Sequence, residues 1–449
     1  LRLLGGAMGF GFSQNVKDLY TELAYAFEPD DKLYLFGFSR GAYTVRALAG
    51  FIQCCGILDV QRFDQQQVAD AVDKCWKVFR KIAFTSSVRD APRREKIPSQ
   101  HSGKDNDSTG SRLAIDPNTG LQRYSPVRIE LLGVWDTVGA IGAPIAELRK
   151  LINVFYPLIF DELTVGPWVR RACHALSIDD ERLTFTPELW NERDGKDERI
   201  RQVWFAGVHS NVGGGYPKHG MSLVTLEWMM SEAKECGLNF LDSDADYVKK
   251  HNDVQDKLYD SRESLAVYYR WNPRNIADLC KAHKIPEAKI HTSVIERIAN
   301  GTDGYAPGNI PYNFKIVTTQ SEKPWLTQER VEQLRELIKQ DTPTDLQSPL
   351  EQMNRAVRSG KACQNVFLSA TVATILLLPL LILWRRWDWL LGVFLGFALV
   401  GWAAWVWSSR VDSRLNAAYS RRWNRPRREL RKLLRTDDAV STTRDPTTE

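Results

Sequence analysis

Apolar residues recur with helical spacing over residues 14–28 (QNVKDLYTELAYAFE), and Pro29-Asp30-Asp31 ends the pattern. KLYLFGF (32–38) is a short, aromatic-rich apolar run of strand length, and helical period returns from Arg40 to about Cys54. Two more strands are predicted: VRIELLGVW (127–135), ending at Asp136, and RQVWFAGVH (201–209), ending at His209. Between them, PIAELRKLINVFYPLIFDEL (144–163) reads as an apolar helix, either core or a lid over a greasy substrate. After His209 the pattern is mostly helical, over 221–238, 253–284 and 326–340. Short apolar strands alternating with amphipathic helices predict an α/β fold with the sheet flanked by helices.

Two stretches break this pattern. Residues 88–125 are polar and rich in Pro, Gly and Ser, too poor in apolar surface to order themselves, and read as a surface insertion. Residues 366–384 and 389–407 each run nineteen residues without a charge. That is the length needed to cross about 30 Å of hydrocarbon. Tryptophans 384, 387, 389, 402, 405 and 407 gather towards the segment ends, as interfacial aromatics do. The expectation is a transmembrane hairpin over 366–407; the alternative is a buried helix pair. The domain plan is then a catalytic domain over 1–320, a helical linker over 321–365, the hairpin, and a basic then disordered tail over 408–449.

Charge sharpens this plan. The net charge is +5, yet residues 410–435 alone hold nine Arg and one Lys against Asp412 and Glu429. The basic character therefore belongs to the tail and gives no reason to expect nucleic acid as a partner of the main domain. By the positive-inside rule the tail and catalytic domain are expected on the cytoplasmic side, with the basic tail against anionic lipid. The seven cysteines, at 54, 55, 75, 173, 236, 280 and 363, are scattered and form no C-x-x-C pair, which argues against a disulfide framework or a zinc site. No metal or cofactor is expected.

Gly37-Phe38-Ser39-Arg40-Gly41 satisfies G-x-S-x-G, between a predicted strand and a predicted helix. Such a turn exposes a serine hydroxyl above the sheet, and glycines on either side would avoid collision with the tight backbone. The backbone N–H of Arg40, at the helix N-terminus, is the candidate oxyanion donor. A nucleophilic serine needs a base and the base needs an orienting acid. Asp136 and His209 both end predicted strands, in the chain order serine, acid, histidine of sheet hydrolases. His174, in ACHALSIDDERLTF, competes with His209, and Asp179 or Asp180 competes with Asp136. Gly213-Gly214-Gly215 could form a phosphate-cradling nest for a lipid headgroup.

GFSRGAYTVRALAG, LLGVWDTVGAIG, HALSIDDERLTFTPELW, WFAGVHSNVGGGYP and YAPGNIP together resemble the catalytic domain of the type VI secretion lipase effectors, over roughly residues 1–320. The resemblance implies an α/β-hydrolase fold and serine-dependent hydrolysis of acyl esters, with phospholipid as substrate. It supports Ser39 as nucleophile with Asp136 and His209 as partners. Members of that family begin with an apolar strand ending in an Asp-Gly-Thr turn, ahead of the GGAMGFG stretch. Here Leu1 falls inside the following loop, so the expected chain lacks the strand beside the nucleophile strand and the turn that supplies a second oxyanion donor. The expectation is a membrane-anchored serine hydrolase of lipid esters. Its rivals are a non-catalytic membrane scaffold on the same fold and an esterase of small carboxylic or carbohydrate esters. An immunity or secretion adaptor protein cannot be read from these residues.

Overall fold

The computed structural model describes residues 11–83, 112–115, 120–139, 165–261, 272–319, 326–340 and 387–442, with isolated positions between 355 and 379. The predicted first helix is α1 (Phe12–Ala26), which lays Phe12, Val16, Tyr20 and Ala24 along one buried face at helical spacing. It is followed by β1 (Leu33–Phe38), α2 (Arg40–Cys55), the two-residue β2 (Ile57–Leu58) and α3 (Gln65–Ala83). Then come β3 (Arg112–Ile115), β4 (Gln122–Ser125), β5 (Ile129–Trp135), β6 (Ala172–Ser177) and β7 (Ile200–Phe205). Strand β7 leads into the short α4 (His209–Gly213), α5 (Gly220–Glu235), α6 (Asp242–His251) and α7 (Ile276–Ala282). The remainder is β8 (Ala288–His291), α8 (Thr292–Asn300), β9 (Phe314–Val317), α9 (Gln328–Gln340) and α10 (Trp387–Thr442).

Six strands form one sheet in the order β1-β5-β6-β7-β8-β9, and every neighbouring pair is parallel. The central strands are buried on both faces. Leu132, Val134, Ala172 and Ile200 face the core built with α1, α2 and α3. Leu131, Cys173, Ala175, Val203 and Phe205 face Trp228, Met229 and Ala233 of α5 on the other side. Parallel strands covered by helices on both faces read as continuous apolar runs, which is why β5 was legible. Among the described residues β1 is an edge strand, and Phe36 on it is exposed.

Several expectations change. The polar insertion is not without structure: Arg112–Ile115 and Gln122–Ser125 pair antiparallel and join β2 in a second, three-stranded sheet. Most of the rest of that stretch, and the apolar helix expected over 144–163, lie outside the described residues. The helix expected over 253–284 shrinks to Ile276–Ala282 among the described residues. Asn275 sets its start, because its side chain accepts from the Asp278 N–H at 3.2 Å, an N-cap just after Pro273.

The C-terminal region departs most. Among the described residues no helix is long and apolar enough to cross a membrane. The structure therefore does not support the hairpin. Its first half, 366–384, lies largely outside the described residues, and its second half, 389–407, is the opening part of α10. There Trp389, Phe394, Leu395, Leu399, Trp402 and Trp407 are exposed. The stretch read as a basic then disordered tail is helical as far as Thr442, and three of its arginines, Arg422, Arg427 and Arg431, are engaged by the protein itself. Arg422 donates to the carbonyls of Gly308 and Ile310, each at 2.8 Å. Arg427 and Arg431 donate to Ile298, Ala299 and Asn300, the last carbonyls of α8, which have no partner within their own helix. Trp423 is fully buried and its indole N–H donates to Pro307.

Candidate active site

Three side chains from three loops meet at the C-terminal edge of the sheet. Ser39 sits between β1 and α2 at φ 59°, ψ −125°, a strained backbone for a residue with a Cβ and the geometry expected of a nucleophile turn. Its Oγ lies 2.7 Å from His209 Nε2. His209 opens α4, directly after β7, and its Nδ1 lies 2.6 Å from Asp136 Oδ2. Asp136 follows β5 and also has a positive φ, 37°. Ser39 is half-buried, while His209 and Asp136 are buried. The sequence-predicted trio is thus brought together in one hydrogen-bonded chain.

The glycines of G-x-S-x-G are not equivalent. A Cβ on Gly37 would sit 2.7 Å from the Gly41 carbonyl oxygen and 2.8 Å from Ala42, so only glycine fits. A Cβ on Gly41 would meet nothing within 4 Å, which corrects the expectation that both positions are sterically forbidden to side chains. Arg40 is the first residue of α2, so its backbone N–H lies at the positive end of the helix, beside Ser39. The Gly-rich segment that precedes α1 lies mostly outside the described residues.

The rival residues have other partners. His174, on β6, accepts from the Thr137 N–H at 3.1 Å and is fully buried. Burial and the nearby Arg46 charge lower its pKa to about 3, so it stays neutral and braces the turn that carries Asp136. Asp180 accepts from the His209 backbone N–H at 3.2 Å and pairs with Arg182. Asp179 accepts from Gly207 N at 2.6 Å and the Tyr305 hydroxyl at 2.9 Å. Neither touches the imidazole; both hold the backbone just ahead of it.

The glycine run at 213–215 also has a packing reason. A Cβ on Gly213 would fall 2.0 Å from the Phe38 ring. That ring lies 4.5 Å from the His209 ring, so Gly213 lets Phe38 wall the imidazole. Gly214 and Gly215 take φ 88° and 108°, and the Gly214 N–H is used by the Ser210 carbonyl. Phe185 meets His209 edge-on from another side at 4.9 Å.

One residue at the centre was not foreseen. Arg274, buried ahead of α7, forks onto Asp136: Nη1 donates to Oδ1 at 2.6 Å and Nη2 to Oδ2 at 2.8 Å. Burial alone would push the Asp136 carboxyl up. The Arg274 charge and hydrogen bonds, with those of His209, outweigh it and hold the group well below the usual carboxylate range. The only signal in the sequence was an Asn-Pro-Arg-Asn run ahead of a helix, which marks a turn and says nothing about what the arginine touches.

Fold and site together define a parallel α/β protein with a Ser–His–Asp hydrogen-bond chain at the carboxyl edge of its sheet. The family model for the T6SS phospholipase effector Tle1-like catalytic domain matches residues 1–232, and the chain belongs to that family. An uncharacterized protein of Saccharomyces cerevisiae, YEL023C, is 26% identical over 190 residues, 41% of this chain and 23% of that protein. The chain thus spans less than a quarter of the length of this curated relative. No solved structure matches the chain.

Proposed function

We propose that this protein is a serine hydrolase that cleaves acyl esters of phospholipids. The observation that carries the reading is the unbroken hydrogen-bond chain from Ser39 Oγ through His209 to Asp136. In this mechanism Ser39 Oγ attacks the acyl carbonyl carbon as His209 Nε2 takes its proton. Asp136 holds the ring through Nδ1–H and balances the imidazolium. The oxyanion forms against the N-terminal end of α2, where Arg40 supplies a backbone donor. His209 then returns its proton to the leaving alcohol, and water releases the fatty acid from Ser39 by the reverse sequence. Phe38 and Phe185 give the imidazole an apolar surround that suits an acyl chain.

A lipid surface is part of this reading. Residues 389–407 carry no charge and present exposed Phe394, Leu395 and Leu399 between tryptophans, the pattern of a segment that contacts hydrocarbon with its ends at the interface. The Trp407 indole N–H donates to Ser359 Oγ at 2.9 Å, a contact consistent with two segments folding back on each other. The catalytic domain and the C-terminal tail, which flank the pair of segments, are proposed to face the cytoplasm.

The test uses a fluorophosphonate probe and phosphatidylcholine vesicles, with the detergent-purified protein and Ser39→Ala. Labelling and fatty-acid release by the parent, with loss by about 10⁴-fold or more in the variant, is expected. A folded parent that takes no label would favour a scaffold role. Release from short-chain soluble esters but not from vesicles would move the substrate to small esters.

A further inference from the structure

Arg274 is buried to 3% exposure, and all four hydrogen bonds of its two terminal nitrogens converge on the site. Two go to Asp136; the others go to the carbonyls of Ser177 at 2.5 Å and Phe185 at 2.7 Å. Its Nε has no partner among the described residues, so the guanidinium is turned wholly towards the carboxylate side. Ser177 ends β6 and Phe185 walls His209, so one planar fork ties the acid, the neighbouring strand end and the aromatic wall together.

The carboxylate of Asp136 shares its lone pairs accordingly. Oδ1 accepts from Arg274 and from the Ser177 N–H at 3.0 Å, while Oδ2 accepts from Arg274 and faces His209 Nδ1. The bidentate fork fixes the plane of the carboxylate, and with it the direction of the oxygen that orients the imidazole. Charge matters as much as direction. Asp136 has no exposed surface, and a carboxylate there without a cation would take up a proton. A protonated Asp136 would donate towards His209 Nδ1 and select the tautomer that cannot take the Ser39 proton.

We propose that Arg274 is a positioning residue of this centre, which keeps Asp136 ionised and aimed at His209 over the pH range in which Ser39 acts. The proposal rests on the serine-hydrolase reading above. The groups that face the pair are few. Asp136 meets Arg274 and His209, with neutral His174 beyond Thr137. Arg274 also feels Asp179 and Asp180, the latter paired with Arg182.

The experiment measures hydrolysis of a soluble short-chain ester against pH for the full chain and for Arg274→Met, Arg274→Lys and Arg274→Ala. Parent labelling by fluorophosphonate is checked first. If it is absent, the serine-hydrolase reading fails, and the two failures are told apart. With labelling present, Arg274→Met is expected to lower kcat by about a hundredfold or more with little change in KM. The acid limb of its kcat/KM profile should move to higher pH by at least about one unit, because burial then governs Asp136. Arg274→Lys keeps the charge and loses the fork, so kcat falls while the acid limb stays. Arg274→Ala should recover part of its kcat with millimolar guanidinium, a rescue that a role confined to packing would not give. Asp179→Asn, run alongside, separates the titration of that neighbour from that of Asp136. The proposal is overturned if folded Arg274→Met keeps the parental acid limb and a kcat within about threefold. If Arg274→Met does not fold, the Arg274→Lys profile and the guanidinium rescue decide: a shifted limb in the first or no recovery in the second overturns it.

Discussion

Among the described residues Arg46, Arg274, Arg297 and Arg422 are buried, and the partners of Arg274 and Arg422 set two regions apart. At the carboxyl edge of the sheet Arg274 meets a buried carboxylate, two N–H groups on two oxygens. Where α10 packs on the loop after α8, Arg422, also buried, gives its terminal nitrogens to the carbonyls of Gly308 and Ile310. The electrostatic outcome is opposite. Burial pulls the Arg274 pKa down, but the Asp136 charge more than reverses this and raises it above the ordinary arginine value. Burial pulls Arg422 down, and the carbonyls do not reverse it. The first arginine belongs to a charge pair whose members each depend on the other. The second belongs to a docking surface, where α10 satisfies the loop after α8 while Arg427 and Arg431 close the carbonyl end of α8. Burial of a cation alone therefore does not mark a functional site; the identity of its acceptor does.

The largest effect should come from breaking the charge pair at its acid. Asp136→Asn is expected to lower kcat by about 10⁴-fold, because the amide disturbs the imidazole tautomer. It should also destabilise the fold by about 3–5 kcal/mol, since Arg274 is left buried without its anion. Turnover of a soluble ester and urea unfolding check both parts. A loss under tenfold in kcat, or unchanged stability, would remove the reason for treating the pair as a unit.

Next in size is the docking surface. Trp423 is fully buried among Ile295, Ile298, Ile310 and Leu334, so Trp423→Ala should cost about 3–5 kcal/mol by urea unfolding. Because no acceptor there touches the imidazole, Ser39 labelling and the pH profile of the folded variant should match those of the parent. A shifted acid limb would mean that the two regions are not separable in the way their partners imply.

The two regions were also unequally legible from the sequence. The triad could be read because strand ends, glycine turns and chain order are local signals, and each of Ser39, Asp136 and His209 carries one. Arg274 could not, because its meeting with Asp136 joins positions 138 apart through a loop of ordinary composition. The tail's contacts with the body could not be read for a physical reason. A run of arginines has the same composition whether it faces lipid, solvent or a row of helix-end carbonyls, and only the tertiary contacts decide. Gly308, within YAPGNIP, makes the same point: a Cβ there would fall 1.8 Å from the Tyr419 ring of α10. Nothing in either segment announces the other. Strands β8 and β9, four residues each, were missed because so short a run carries no period to detect.

Asp179 bridges the two regions and supplies the smallest and most diagnostic effect. It accepts from Gly207, two residues before His209, and from the hydroxyl of Tyr305, whose carbonyl is held by Arg427 of α10. Burial raises its pKa to about 6, despite those hydrogen bonds and the charges of Arg297 and Arg274. A carboxyl near 3.9 when unfolded and near 6 when folded binds its proton more tightly in the native state. Its contribution is therefore favourable below about pH 4 and is lost as pH rises through 6, by about 3 kcal/mol at most. Asp179→Asn keeps an oxygen for both donors and never ionises. It should gain up to that amount over the parent at pH 7 and show a flatter stability curve from pH 4.5 to 7. Urea unfolding of both proteins across that range measures it. Parallel curves would mean that Asp179 stays charged in the folded protein, held by the arginines on its two sides, and the contrast between paired and unpaired buried charge would then extend to this residue as well.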